Sequence, residues 1–173
     1  MNATLATRTH FNQFSKSNYY DLLVDGHPLE SLALELNPGL FQPGLVPTLL
    51  NWLRDENERN AVWTRIKPDV DSVSVCPVLM CSEDIDLHCT LMVVEIKSYP
   101  DSVVWTKMAA GHSMADYPDY DFTDLSWVPN WNALEFTTEN YDNVLEKFRR
   151  YLDDDSLTVY PPNASERVTI RDY

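Results

Sequence analysis

Patches of apolar residues, set off by polar or proline-rich stretches, predict the elements of this chain. Tyr19-Tyr20-Asp21-Leu22-Leu23-Val24 reads as a strand. Asp25-Gly26 follows it, a pair that favours a hairpin because its turn needs positive φ, which glycine adopts without penalty. Leu29 to Leu34 is the expected return strand, with His27-Pro28 widening the connection. After Pro38, Gly39, Pro43 and Gly44, the residues Val46, Leu49, Leu50 and Leu53 fall at helical spacing, which predicts a helix from Leu45 to Arg59 with Pro47 in its first turn. Three apolar stretches come next, Val73 to Met80, Leu87 to Ile96 and Ser102 to Ala110. The last two flank the hairpin loop Lys97 to Asp101, so Val93, Val94 and Ile96 are expected to pair with Val103, Val104 and Trp105.

From Ala109 to Thr138 no period is evident, apart from a short candidate strand at Ala133 to Phe136. Thr137-Thr138-Glu139 then starts a helix with a hydroxyl cap and an early acid, and Tyr141, Val144, Leu145, Phe148 and Leu152 line one face of it. Leu157 to Tyr160 and Val168 to Ile170 read as edge strands. Residues 1–18 read as a loose N-terminal segment and residues 19–173 as one domain. The resulting expectation is an α+β fold, an antiparallel sheet of about four to six strands packed by two amphipathic helices. Its inner face should use Val73, Val75, Val94, Ile96, Val104, Leu145 and Phe148.

Charge changes this picture most. The 173 residues hold 13 Lys plus Arg against 27 Asp plus Glu, a formal net charge of -14. That balance argues against nucleic acid or an anionic membrane as partner, because phosphate binding rests on Lys and Arg. It favours a basic protein partner. Met1 to Phe14 lacks the apolar core of a signal peptide, and no segment approaches the about 18 consecutive apolar residues of a membrane span. Together with three cysteines, an odd number, this predicts a cytoplasmic protein with reduced thiols.

Cys76, Cys81, His88 and Cys89 form a cluster of metal-ligand types, but the spacing departs from a zinc knuckle. On a strand, His88 and Cys89 would also point to opposite faces. Buried free thiols are the favoured reading, with no metal or other cofactor assigned. There is no Gly-x-Ser-x-Gly elbow, phosphate loop, His-Glu-x-x-His or dinucleotide fingerprint. Gly111-His112-Ser113 is the most catalytic-looking triplet, and a polar turn is its simpler reading. The acid pairs Glu83/Asp86 and Asp119/Asp121/Asp124 lack the glycine and glutamate of a calcium loop and read as solvated charges.

The distribution of charge is more informative than any pair. No Lys or Arg lies between Lys107 and Lys147, a stretch that carries eight acids: Asp116, Asp119, Asp121, Asp124, Glu135, Glu139, Asp142 and Glu146. Aromatic residues are interleaved with them. Interfaces draw their energy from buried Tyr and Trp, and their encounter rate from complementary charge. Asp116, Tyr117, Asp119, Tyr120, Asp121, Asp124 and Trp127 are therefore the candidate partner-binding residues, with no catalytic residue assigned.

The order of features also resembles a family. Tyr19 to Leu29 around Asp25-Gly26 is followed by Leu49-Leu50-Asn51-Trp52-Leu53 and then by Cys81-Ser82-Glu83-Asp84-Ile85-Asp86-Leu87-His88-Cys89-Thr90. Val93-Val94-Glu95-Ile96, Val103-Val104-Trp105, the Trp127 to Trp131 segment and Leu134-Glu135-Phe136 come next, before the Tyr141 to Phe148 helix. Over about residues 19 to 150 this layout resembles the immunity proteins of bacterial polymorphic toxin and contact-dependent growth inhibition systems. The resemblance implies stoichiometric neutralisation of a cognate toxin domain, often a nuclease with a basic cleft, and implies no catalytic residue. An acidic adaptor for another basic protein is the second reading. A small hydrolase using His88 or His112 with a cysteine or serine is the third.

Overall fold

The structure, a computed structural model, describes residues 2–13, 16–113, 120, 122 and 124–153. Over these residues it is α+β, with three helices and two antiparallel sheets. The smaller sheet contains β1 (Leu5–Asn12), β2 (Ser17–Val24) and β3 (His27–Pro28) in that order. The larger runs β4 (Leu45–Pro47), β5 (Val73–Cys81), β6 (Leu91–Ser98), β7 (Ser102–Gly111) and β8 (Ser126–Trp127). A sixth strand, β9 (Leu134–Thr137), pairs with the other end of β7. The helices are α1 (Leu29–Leu36), α2 (Glu56–Arg65) and α3 (Thr138–Asp153). Among the described residues no helix is long and apolar enough to cross a membrane.

The start of the chain departs from the expected loose segment. β1 pairs with β2 along its whole length, from Leu5 opposite Val24 to Asn12 opposite Ser17. Ahead of it, the Ala3 N–H donates to the Glu135 carbonyl at 2.7 Å, so the N-terminal residues reach across to β9 of the larger sheet. The Asn140 side chain on α3 accepts from the Leu5 N–H at 2.8 Å and donates to its carbonyl at 2.9 Å. One amide thus serves β1 as a strand neighbour would.

Asp25 and Gly26 both have positive φ, 50° and 81°, which is the signature of a two-residue turn, tighter than the widened connection expected. The return strand is only His27–Pro28, because Leu29 to Leu36 is helical. Leu29, Leu32 and Ala33 make its packed face, and Leu, Glu and Ala are strong helix formers. Glu30 on α1 accepts from the backbone N–H groups of Gly44 and Leu45 and so fixes the entry to β4.

The helix expected over 45–59 is also absent. Leu45–Pro47 is a strand, turns follow, and the helix begins at Glu56, eleven residues past the expected start. Leu45, Val46, Thr48, Leu49, Leu50, Trp52 and Leu53 are all buried, so the run lacks the solvent-facing side that an amphipathic helix presents. Asp55 starts α2 instead, its carboxylate accepting from the Asn57 N–H at 2.7 Å.

The β5–β6–β7 meander matches the expected stretches, with β6 starting at Leu91 rather than Leu87. Of the two sets expected to pair, only Ile96 and Trp105 face each other, whereas Val94 faces Met108 and Val93 faces Ala109. The register slips between Glu95 and Ile96 because Thr106 is an extra residue on β7. That bulge keeps Val103, Trp105, Met108 and Ala110 all buried, which strict alternation would not. Of the predicted inner face, Val94, Ile96, Leu145 and Phe148 are buried, while Val75 and Val104 are half-buried and Val73 is 55% exposed. A β-strand buries alternate residues, and on β7 the core takes Val103 and Trp105 rather than Val104.

α3 carries the best-matched pattern. Tyr141, Val144, Leu145 and Phe148 are buried, with Tyr151 in place of Leu152, and the Thr137 hydroxyl accepts from the Asn140 N–H as a cap. The expected edge strands at 157–160 and 168–170 lie outside the described residues.

One hydroxyl joins three elements. Trp105 Nε1 on β7 donates to Tyr141 Oη on α3 at 3.2 Å, and Tyr141 Oη donates to the carbonyl of Ile66, just past α2, at 2.8 Å. All three residues are at most 1% exposed. Tyr141→Phe, which keeps the ring but strands a buried N–H and a buried carbonyl, is expected to cost about 1–3 kcal/mol in a urea unfolding titration. A loss below about 0.5 kcal/mol would show that this relay is not needed.

Candidate partner-binding site

Strand β8 pairs with β7 at Ala109, opposite Trp127, and Ala110, opposite Ser126, and the Val128 N–H continues the contact by donating to the Met108 carbonyl at 2.8 Å. Gly111 permits the close approach: a Cβ placed on it would lie 2.4 Å from Leu125 Cδ2. Val128 turns into the core, and Trp131 Nε1 donates to the Trp105 carbonyl at 3.2 Å, anchoring the segment beyond. Trp127 is left 39% exposed. Lys107 Nζ sits 5.3 Å from the centre of its ring and 2.9 Å from a Glu95 carboxylate oxygen. Glu95, Lys107 and Trp127 thus form a row across three strands. Partial burial raises the Glu95 pKa, but hydrogen bonds from Lys107 and Thr106 outweigh it and hold the carboxyl below its ordinary range.

Of the predicted binding residues, the structure brings Asp124 and Trp127 to the surface within three positions of each other. Tyr120 is corrected: it is 6% exposed and belongs to the core with Phe122. Arg65 from α2 holds both, lying 5.6 Å from the Phe122 ring centre and donating to the Tyr120 carbonyl at 3.4 Å. Asp116, Tyr117, Asp119 and Asp121 lie outside the described residues. Lys107 and Arg65 carried no signal as site residues, because each acts on an aromatic ring far away in sequence.

Beside this face, residues 82–90 form a loop rather than the strand expected to begin at Leu87. Asp86 organises it by accepting from the N–H groups of His88 (3.0 Å) and Cys89 (3.1 Å). Glu58 reaches across from α2 and accepts from the Leu87 N–H at 3.1 Å. His88 stands between Glu58 and Ser113, with Nε2 3.9 Å from Glu58 Oε1 and Nδ1 3.3 Å from the Ser113 carbonyl. Ser113 is buried, and its N–H donates to the Leu87 carbonyl at 2.8 Å.

The thiols divide into two kinds. Cys76 is fully buried with its sulfur against the carbonyls of Val62 and Pro77. Cys81 and Cys89 are half-buried and come together with Asp84, not with Cys76 and His88. Burial raises the pKa of Cys76. Burial, reinforced by Asp84 and Cys81, pushes Cys89 up to about 12. Cys76 and Cys89 are therefore held as thiols, the weakly nucleophilic form.

Burial also raises the Glu58 pKa, the Leu87 N–H only partly offsetting it, and it raises that of Asp21 in the same sense. A carboxyl whose folded pKa lies above its unfolded value contributes stability below the unfolded pKa and loses it as pH rises through the folded pKa. Glu58→Gln keeps an acceptor for Leu87 and cannot ionise. Its melting temperature relative to the unmutated chain is thus expected to rise from about pH 4 to pH 7. A difference that stays constant across that range in thermal melts would place the Glu58 carboxylate in water.

Compared with known proteins, the chain matches no family model, no curated protein and no solved structure.

Proposed function

We propose that this protein is an immunity protein, which binds and neutralises a cognate toxin domain stoichiometrically in the cytoplasm. The observation that carries the reading is the lopsided charge: eight acids and no Lys or Arg between Lys107 and Lys147, in a chain of net charge -14. The exposed indole of Trp127 stands beside exposed Asp124 in that stretch. An exposed aromatic ring in an acid-rich stretch, with Lys107 as the cation on its face, suits a basic partner, since charge steers the encounter and the ring supplies area to bury. A nuclease cleft, basic because it holds phosphates, has the complementary character. The layout resemblance to immunity proteins supports the same reading, and binding needs no catalytic residue.

An acidic adaptor would share these physical features, and only function separates the two. Co-expression with the C-terminal toxin domain of the secreted protein encoded immediately upstream is expected to rescue growth. Killing without rescue counts against the pairing. With the purified pair, Trp127→Ala is expected to weaken binding by about tenfold or more. Asp119, Asp121 and Asp124 changed together to Asn should slow association at low salt and reduce its salt dependence, leaving the melting temperature within about 2 °C. Unchanged association in the triple variant would move the binding face elsewhere.

A further inference from the structure

Cys81 closes β5, Cys89 lies just before β6, and Asp84 sits on the loop between them. One ligand atom from each, two sulfurs and a carboxylate oxygen, all lie within 4.8 Å of one another. We infer that Cys81, Asp84 and Cys89 form a zinc site, three protein ligands with the fourth position left to solvent. This inference does not rest on the toxin reading.

The donor chemistry and the geometry both support it. Thiolates and carboxylates are standard zinc ligands, at about 2.3 Å and about 2.0–2.2 Å, in tetrahedral sites. Tetrahedral angles then place the sulfurs about 3.8 Å apart and each about 3.5 Å from the oxygen, so closing onto a metal takes little more than about 1 Å of side-chain movement. Cys81 and Asp84 come from a single turn, closed by the Ile85 N–H donating to the Cys81 carbonyl at 3.0 Å. Cys89 is brought back by the β5–β6 pairing, where the Cys81 N–H donates to the Thr90 carbonyl at 3.1 Å, and by Asp86. Glu58 fixes the loop from below through Leu87. The backbone is therefore already set, and only side chains need adjust.

Two sulfurs and a carboxylate oxygen face one another here, the donors that a divalent cation binds as anions. Binding displaces both thiol protons to solvent, so two thiolates and one carboxylate meet Zn²⁺ for a net charge of -1. A groove lined by Gln42, Gly44, Leu45, Glu83 and Thr90 opens beside Cys81 and gives the metal a path from water.

The test uses the full chain, reduced and stripped of metal, titrated with Co²⁺ alone and then with Zn²⁺. One Co²⁺ per chain should give a thiolate-to-metal charge-transfer band that Zn²⁺ abolishes, with about two protons released per metal at pH 7. Cys81→Ser and Cys89→Ser should each eliminate the band, Cys76→Ala should leave it, and Asp84→Asn should weaken Co²⁺ binding by about tenfold or more. Should a variant not fold, alkylation of the unmutated chain asks the same question: Zn²⁺ should slow labelling of Cys81 and Cys89 at least tenfold. No band at stoichiometric Co²⁺, a band that survives Cys89→Ser, unprotected thiols, or isolation of the chain with a Cys81–Cys89 disulfide that resists reduction would each overturn the site.

Discussion

The fold depends on a hydrogen bond made where water does not reach. Tyr141 Oη accepts a hydrogen bond from Trp105 Nε1 and donates one to the Ile66 carbonyl, so the central sheet, the last helix and the end of α2 meet at one atom. A buried carbonyl and a buried indole N–H must each find a partner, and at this position only a hydroxyl serves both. The rings around it reinforce the geometry, with Trp105 and Phe136 edge-on at 5.2 Å and Trp105 and Tyr141 at 6.4 Å. Burial raises the Tyr141 pKa and keeps the hydroxyl protonated, as a donor must be. Apolar packing alone would let α3 slide along the sheet, and this relay sets where it stops.

What the sequence disclosed followed the strength of its periodicity. α3 was legible because Tyr141, Val144, Leu145 and Phe148 have polar neighbours between them, and the meander because its strands are rich in valine and bounded by polar turns. Leu45 to Leu53 was misread because it is apolar but for Thr48 and Asn51, and so short a run carries little information about which backbone repeat it follows. The α1 pattern, Leu29, Leu32 and Ala33, was present in the sequence but was overridden by the hairpin signal of Asp25-Gly26. β1 left no trace at all: its middle residues are polar and largely exposed, and it is a strand because β2 and Asn140 supply its hydrogen bonds, with Ala3 just ahead of it held by the Glu135 carbonyl.

The candidate site was legible only in its charge. Tyr120 and Trp127 lie in the same aperiodic, acid-rich stretch, and nothing local distinguishes them. Arg65, 55 residues from Tyr120, helps draw Tyr120 and Phe122 inward. Lys107 instead meets Trp127 at the surface and neutralises part of the acid field around it. The surface that remains is therefore an aromatic ring with a lysine already seated on its face, and a basic partner must approach along the ring edge or displace that lysine. Likewise the thiol cluster was hidden by an assumption about the backbone, since alternation along a strand separates His88 from Cys89, whereas a loop sets each independently.

The Asn140 amide that stands in for a strand beside Leu5 joins residues 135 positions apart. The β1–β2 hairpin is local and closes quickly, yet the Leu5 end of its outer edge is not satisfied until α3 is in place. During synthesis at about 5–20 residues per second, that edge waits several seconds for the helix that covers it. In that interval the nascent chain carries an open β-edge, the feature most prone to pairing with a neighbouring chain. The threonine and arginine of that edge, Thr7, Arg8 and Thr9, then act as guards over an unfinished molecule.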